Sequence, residues 1–414
     1  MFMTIEASTY GFSLKDLSAT GFGNHSLKIE AIPGQTSISL PAGTEQREEV
    51  RTDRTTNNNT DNAWGINHRQ IPLALQQNKD HYGLTFFTRP QLNLTDSNLM
   101  RERKFSRLLN EGTMSIERLI RTMLDPRLQH GDGGPEGQPG SDSFGGQGSI
   151  SCPLVDHRQA FISFFTNNLV SLSGFPDLRA PTYSAKEGPY KEAYSFVDGP
   201  TIDYSEYDVS ATFRNIQGDP ISKIAFFWNH YQSLVHEGVF TAYGDFIVNR
   251  EIDYQTRIYR FILDPSKRYI TRMACTGASY PYALSNGSFY DFDSTKPYNE
   301  ASQNIQIPFK CMGAIYEDDM IVRSFNDVVS YFHPEMGGGP EDKSLLSEPS
   351  SKMVKIPIEH LYIFNHRGYP HINYHTYEME WYVSEEYYNS KLASFADFST
   401  SLFKGMGLKT DETQ

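Results

Sequence analysis

The chain has 414 residues, enough to bury a sizeable core and to form two or three domains. Its 37 basic and 50 acidic residues give a net charge of −13, which argues against a basic groove that holds nucleic acid tightly. The three cysteines are odd in number and far apart, which favours buried thiols in a reducing compartment over a disulfide framework. The sequence predicts no signal peptide and no membrane span.

The N-terminal third divides into three predicted parts. Residues 1–80 are polar and weakly periodic, which predicts an N-terminal extension. The stretch from Glu45 to Asn62 is almost without apolar side chains. Residues 81–130 predict a strand (GLTFFTRPQLNL) followed by two helices (TDSNLMRERKFSRLL and SIERLIRTMLDP). Residues 131–150 predict a flexible loop, because the 19 residues from Gly131 to Ser149 include eight glycines and two prolines.

Residues 151–350 show the strongest periodicity and predict a β-rich domain. YDVSATFRN alternates as a half-buried strand does, and Asp219-Pro220 begins an apolar helix that ends near Gly238. IDYQTRIYRFILDP is apolar on both faces and predicts a central strand.

The stretch NIQIPFKCMGAIYEDDMIVRSFNDVV predicts a strand, an acidic hairpin turn and a return strand. One face of the first strand carries the residues that we expect in the core: Ile305, Ile307, Phe309, Cys311 and Ile315. The turn is formed by Glu317, Asp318 and Asp319, which we interpret as solvated because the spacing of a calcium loop is missing.

The C-terminal residues predict a second β unit. Within residues 351–390, MVKIPIEHLYIFN and HINYHTYEMEWYV predict two strands joined by a hairpin turn at HRGYP. Residues 391–414 predict a loosely held tail.

One cluster in this region has metal-ligand chemistry. His360, His366, His371 and His375 lie close in sequence to two glutamates, Glu378 and Glu380. On a strand His371 and His375 would share a face, so His371, His375 and Glu378 are candidate metal ligands. The neighbouring aromatic residues favour an ordinary strand surface instead, so we expect no metal and no cofactor. No serine or cysteine nucleophile motif is present, which predicts no catalytic residues and a protein that is not an enzyme.

The order of features over residues 200–330 resembles the tail-tube fold of contractile-tailed bacteriophages, shared by tube, tube-initiator and baseplate-hub proteins. The resemblance rests on YDVSATFRN, the aromatic helix ISKIAFFWNHYQSLV and the strand TRIYRFILDP. The segment from Gly277 to Pro281 and the alternating strand NIQIPFKCMGAIYED then follow in the same order.

The resemblance implies an α+β, β-dominated fold: a tail-tube-like β-barrel or sandwich with a flanking helix, a polar N-terminal region and a C-terminal β-hairpin. It implies a virion structural protein that is made in the host cytoplasm and forms a homo-oligomeric ring, six-fold or three-fold. The ring would join other phage tail proteins and enclose an acidic conduit, through which DNA passes without specific binding. The segments Glu45–Asn62 and Gly131–Ser149 would reach the next layer, and Glu317, Asp318 and Asp319 would cap a hairpin at a ring face.

Three alternatives stay open at this point. A neck or collar protein between head and tail belongs to the same structural class. A metal-dependent, β-rich hydrolase would use the histidine cluster with Glu378 or Glu380. A carbohydrate-binding or adhesin module would use surface Tyr and Trp side chains to stack on sugars.

Overall fold

The computed structural model describes four short strands within residues 1–79 and most of residues 82–405. In the second range it leaves out 110, 111, 113, 130–151, 157, 202–204, 286, 291–293, 296–303, 338–347 and 365–367. The predicted segments Glu45–Asn62 and Gly131–Ser149 lie outside the described residues. Two compact units are present, Met1–Lys79 and Asp80–Gln414.

The first unit contains antiparallel strands in the order β1-β2-β3-β4: β1 (Glu6–Ala7), β2 (Phe12–Ser13), β3 (Leu27–Ala31) and β4 (Ile38–Leu40).

The second unit mixes strands and helices. Its strands are β5 (Tyr82–Phe87), β6 (Leu169–Ser173), β7 (Thr182–Ser184), β8 (Ser195–Val197), β9 (Glu206–Arg214), β10 (Ile258–Leu263), β11 (Ile270–Pro281), β12 (Asn304–Tyr316), β13 (Met353–Lys355), β14 (Tyr369–Ile372) and β15 (Met379–Ser384). Its α-helices are α1 (Asp96–Leu99), α2 (Ile116–Leu124), α3 (Ser163–Asn168), α4 (Pro220–His236), α5 (Gly244–Asn249), α6 (Asp319–Phe332) and α7 (Glu385–Gly405). Short 3-10 helices occur at Arg103–Leu109, Pro126–Gln129, Gly287–Tyr290, Pro334–Gly337 and Ile358–His360.

None of the helices in the described part of the chain combines the length and the apolar character that crossing a bilayer requires.

An antiparallel sheet in the order β5-β10-β11-β12-β9-β6 forms the centre of the second unit. Strands β9, β10 and β12 confirm the sequence predictions, and β10 is paired on both sides as expected of a central strand. Strands β5 and β6 stand at opposite ends of the sheet, so the sheet is open in the described residues. Of the predicted barrel or sandwich, a closed barrel is not formed there.

Two hydrophobic clusters cover opposite faces of this sheet. Phe87 belongs to the first cluster and Phe86 to the second, as neighbouring residues of one strand must point to opposite faces. Helix α4 packs in the first cluster through its predicted apolar stripe, with Ile221, Ile224 and Trp228 buried, which confirms the predicted helix. Helix α6 and the sheet β13-β15-β14 pack in the second cluster.

The predicted return strand after the acidic turn is wrong, because the chain forms helix α6 there. Asp318 is the N-cap, and its side chain accepts a hydrogen bond from the Met320 backbone N–H. Ile321, Phe325 and Val329 recur at helical spacing and are buried, so the apolar pattern has a period near 3.6 and not 2.

The prediction for the core face of β12 is correct for four residues and wrong for Ile315. Ile305, Ile307, Phe309 and Cys311 lie in the first cluster. Ile315 packs against the second cluster. Gly313, between them, has φ +65°, and this left-handed residue interrupts the alternation of the strand.

The C-terminal predictions need two corrections. The hairpin joins β14 to β15 through residues 373–378, not through HRGYP, and β13 pairs with β15 on its other side. The backbone N–H of Tyr377 donates to the Asn373 carbonyl and so closes this turn. The predicted loose tail begins within helix α7, which extends to Gly405.

Candidate assembly surfaces

Strands β9 and β12 expose a polar face on the side away from the first cluster, which we call the open face. Its outward residues are Glu206, Asp208, Ser210, Thr212 and Arg214 on β9, and Asn304, Gln306, Pro308, Lys310 and Met312 on β12. The Lys310 ammonium lies 3.3 Å from Asp208 and 3.6 Å from Glu206, and the Gln306 amide donates to Ser210 at 2.7 Å. The hydrogen bond with Asp208 raises the pKa of Lys310. Two acidic and two basic residues balance on this face, which is therefore polar and not acidic.

Strand β6 borders the open face and forms the end of the sheet. It pairs with β9, and Val170 on it is 57% exposed. The other terminal strand, β5, is partly covered at its end, because the Ile162 backbone N–H donates to the Phe87 carbonyl at 2.8 Å. An edge strand presents unpaired backbone groups that can pair with a strand of another chain. Strand β6 therefore offers a site for continuing the sheet.

A hairpin built from β7 and β8 follows β6 and leads to β9; we call it the arm. Its base is held by the Tyr316 hydroxyl, which donates to the Pro176 carbonyl at 2.6 Å, and by ring contacts of Phe175 with Tyr207 and Tyr316. Beyond the base, large apolar side chains are exposed: Leu178, Tyr183, Tyr190, Tyr194, Phe196 and Val197. Because these side chains are exposed, they are available to a partner. A partner would also stabilise the arm, since a two-stranded hairpin is marginally stable alone.

The hairpin of the arm was not predicted from the sequence. Two signals could have identified it: the short runs PTYSA and AYSFV, and the turn KEGPYKE between them.

The predicted acidic turn is exposed, and its residues support helix α6 instead of a hairpin. The Asp319 carboxylate accepts from the Tyr377 hydroxyl, and the Glu317 carboxylate accepts from the Met273 backbone N–H at 3.3 Å. Glu317 has φ +49°, so the chain turns sharply between β12 and the helix.

Glu378 and Glu380 are brought together with His371 as part of a charge network. The His360 Nδ1 lies 2.9 Å from the Tyr388 hydroxyl instead, and His366 lies outside the described residues. His371 lies in β14 and His375 in the turn that follows it. Glu378 and Glu380 are buried, and the Lys355 ammonium lies 3.2 Å from Glu378 and 2.7 Å from Glu380. The Arg268 guanidinium approaches Glu378 to 2.6 Å. Both candidate carboxylates are thus neutralised by side chains of this chain.

The electrostatics of Glu380 follow from the same contacts. Burial alone would raise its pKa, but contacts with His371, Lys355 and Tyr382 lower the pKa to about 2. The Tyr382 hydroxyl donates at 2.8 Å, whereas His371 Nδ1 lies 3.8 Å from the carboxylate. Within the part of the chain that the structure describes, no group of three or more His, Cys, Asp or Glu side chains is arranged to hold a metal ion.

Residues 44–398 match a family described as "Putative phage tail tube protein". A comparison with curated proteins gives no match. Among solved structures, the anti-feeding prophage cap, a tube-terminating cap determined by cryo-electron microscopy, is similar to 36% of this chain and 79% of its own chain, with 10% identity and a TM-score of 0.23. Because the family match spans most of the sequence, the chain belongs to this phage tail tube family.

Proposed function

We propose that this chain is a ring-forming subunit of the tail tube, and that each sheet is extended by the sheet of the next copy. Membership of the family makes it a structural component of the phage tail, and so of the virion. The observation that carries the ring proposal is the exposed edge strand β6 at one end of an open sheet, with β5 at the other end. Pairing of β6 with the part of a neighbour's β5 that is not covered by residues 160–162 would remove the edges that remain.

The open face is the surface that would line the conduit. It continues to the β6 edge, so ring closure would join the open faces of successive copies into one inner wall. Its balanced charge and polar groups would let a polyanion pass without a cluster of cations to bind it. The acidity of the whole chain then resides on other surfaces.

The arm would make contacts beyond the ring. Its exposed tyrosines combine apolar area with a hydroxyl, which suits an interface that is wet before assembly and buried afterwards. A six-fold or three-fold ring, contacts with other tail proteins, and a role for Glu45–Asn62 and Gly131–Ser149 in reaching the next layer belong to the same proposal. Synthesis in the host cytoplasm does too. The tube initiator, the baseplate and the neck are the other positions that the same surfaces would suit.

A single substitution on the edge tests the ring. Val170→Lys places a charge on the exposed edge of β6, where lysine discourages strand pairing, and should leave the fold intact. We expect wild-type protein to form rings in sedimentation velocity and electron micrographs, and Val170→Lys to stay monomeric.

The matched control is Val248→Lys, because Val248 is 81% exposed and lies on helix α5, which is not part of the sheet. It should assemble as the wild type does. Equal assembly of Val170→Lys and wild type would contradict the edge-pairing proposal.

A further inference from the structure

The 3-10 helix Arg103–Leu109 and the Arg101-Glu102 pair before it carry four cations and one acidic residue, a net positive segment on a chain that is acidic overall. Phe105 and Leu108 are fully buried and hold this segment on the first cluster. Its exposed cations, which we call the basic surface, are Arg101, Arg103, Lys104 and Arg107. Met100, beside them, is 73% exposed.

Glu102 is the acidic residue within the basic surface, and its carboxylate accepts from the Lys104 backbone N–H at 3.3 Å. In the described part of the chain, none of Arg103, Lys104 and Arg107 forms an ion pair. The Arg101 guanidinium donates to the Val239 carbonyl, which is neutral. Four cations against one carboxylate leave the surface with a net positive charge next to an exposed apolar side chain.

A complementary surface precedes helix α6. It consists of Glu317, Asp318, Asp319 and the exposed Met320, and we call it the acidic surface. The partners of its carboxylates are two backbone N–H groups and the Tyr377 hydroxyl, all neutral. No Lys or Arg ion pair to these three acids occurs among the described residues.

The two surfaces lie on opposite layers of the second unit. The basic surface is anchored in the first cluster and helix α6 in the second, and the central sheet separates them. They cannot neutralise each other within one chain, but they can between copies. A contact that uses one surface of each copy leaves the other surface open, so it repeats head to tail.

We propose that the basic surface of one copy binds the acidic surface of the next. The inference rests on the proposed function, because the partner is another copy in the same assembly, but it uses residues distinct from the β6 edge and the arm. Opposite charges around an apolar contact would steer copies together and fix their register, and the contact would weaken with salt.

Charge reversal tests the contact. Lys104→Glu/Arg107→Glu should weaken self-association at least about tenfold at low salt, since each reversal replaces attraction by repulsion. The control Arg250→Glu/Arg272→Glu changes two other exposed arginines and shifts the net charge equally, and should change association by less than about twofold. Sedimentation velocity at low and high salt measures both, and thermal unfolding checks the fold.

A charge-swap mixture makes the test specific. Glu317→Lys/Asp319→Lys keeps the Asp318 cap and should also associate poorly when alone. Mixed in equal amounts with Lys104→Glu/Arg107→Glu, it should restore assembly, because each contact then joins opposite charges again.

Three outcomes would overturn the inference. Lys104→Glu/Arg107→Glu could associate as the wild type does, or the mixture of the two variants could stay dissociated. A labelled DNA duplex could bind the wild type but not Lys104→Glu/Arg107→Glu, which would make nucleic acid the partner of the basic surface. A wild type that never associates would refute the proposed function instead. A wild type that assembles, with charge variants that match the control, would refute the charged contact alone.

Discussion

Asp125 shows how the core of this chain uses a carboxyl group as a structural element. It is fully buried at the end of α2, where its Oδ2 accepts from the Leu94 backbone N–H at 2.9 Å and from the Tyr243 hydroxyl at 2.7 Å. Burial raises the pKa of Asp125 to about 6, although these hydrogen bonds and Arg121 oppose the shift. The folded protein thus binds this proton more tightly than the unfolded chain does.

Stability should therefore depend on pH at this residue. Below the unfolded pKa of Asp125, near 4, the carboxyl group is protonated in both states, and its ionisation does not change the free energy of unfolding. Above about 6 the group is ionised in both states, and the burial of its charge lowers the free energy of unfolding by about 3 kcal/mol. We expect Asp125→Asn to be more stable relative to wild type at pH 7 than at pH 4, by roughly 2–3 kcal/mol. Denaturant unfolding at the two pH values measures this.

A difference between Asp125→Asn and wild type that is the same at both pH values would contradict the prediction. Loss of the acceptor geometry alone would shift stability equally at pH 4 and pH 7, so only the change with pH reports the ionisation.

A substitution at Lys355 tests whether Glu378 and Glu380 serve a structural charge network or a metal site. Removing the ammonium in Lys355→Met leaves two buried carboxylates with less compensation, and should lower the free energy of unfolding by about 2 kcal/mol. The control Lys352→Met removes an exposed ammonium 3.4 Å from Glu335 and should cost less than about 1 kcal/mol. Chemical unfolding of the three proteins measures the difference.

Metal chelation completes this test. The charge network predicts that a chelator leaves the unfolding midpoint of the wild type unchanged. Stoichiometric zinc in the purified protein, together with a fall in the midpoint on chelation, would instead support the hydrolase alternative that uses His371, His375 and Glu378.

At the scale of elements, one glycine determines how β6 passes into the arm. Gly174 has φ +114°, and a Cβ there would lie 2.1 Å from the Asp208 carbonyl oxygen. We expect Gly174→Ala to cost about 2 kcal/mol more stability than Gly238→Ala, because Gly238 also has positive φ but nothing within 4 Å of the added Cβ. Equal costs in thermal unfolding would show that the backbone at Gly174 relaxes freely.

The elements that the sequence predicts well are those whose pattern is long and repeated. Helix α4, with its proline at the first position, and the alternation along β9 and the first part of β12 match the structure because one face of each is buried over several turns or residue pairs. Short apolar runs are ambiguous between helix and strand, and this ambiguity produced the wrong prediction for α6.

Other differences arise from features that a local pattern does not contain. The left-handed Gly313 changes the side to which Ile315 points, and β13 reaches β15 by tertiary pairing, not through an adjacent turn. In the candidate surfaces, the sequence predicted Glu317, Asp318 and Asp319 as an exposed acidic turn, but not their role at the start of a helix. The β6 edge and the open face depend on the strand order of the sheet, which no short motif encodes.

At the scale of the whole molecule, charge is distributed unevenly. The chain is strongly acidic, yet the open face is balanced and the basic surface is positive. Such an arrangement suits a protein that repels its copies in general and associates through particular surfaces. Membership of the family identifies the protein as a phage tail structural protein. We propose that copies assemble through the sheet edges, the arm and the charged surfaces.

A cryo-electron microscopy reconstruction of the assembled protein would show directly whether the sheets of neighbouring copies join. We expect closed rings in which β6 of one copy lies beside β5 of the next, with the outward residues of β9 and β12 facing the conduit. Rings in which β6 contacts no neighbouring strand, or a protein that remains monomeric at high concentration, would contradict this expectation.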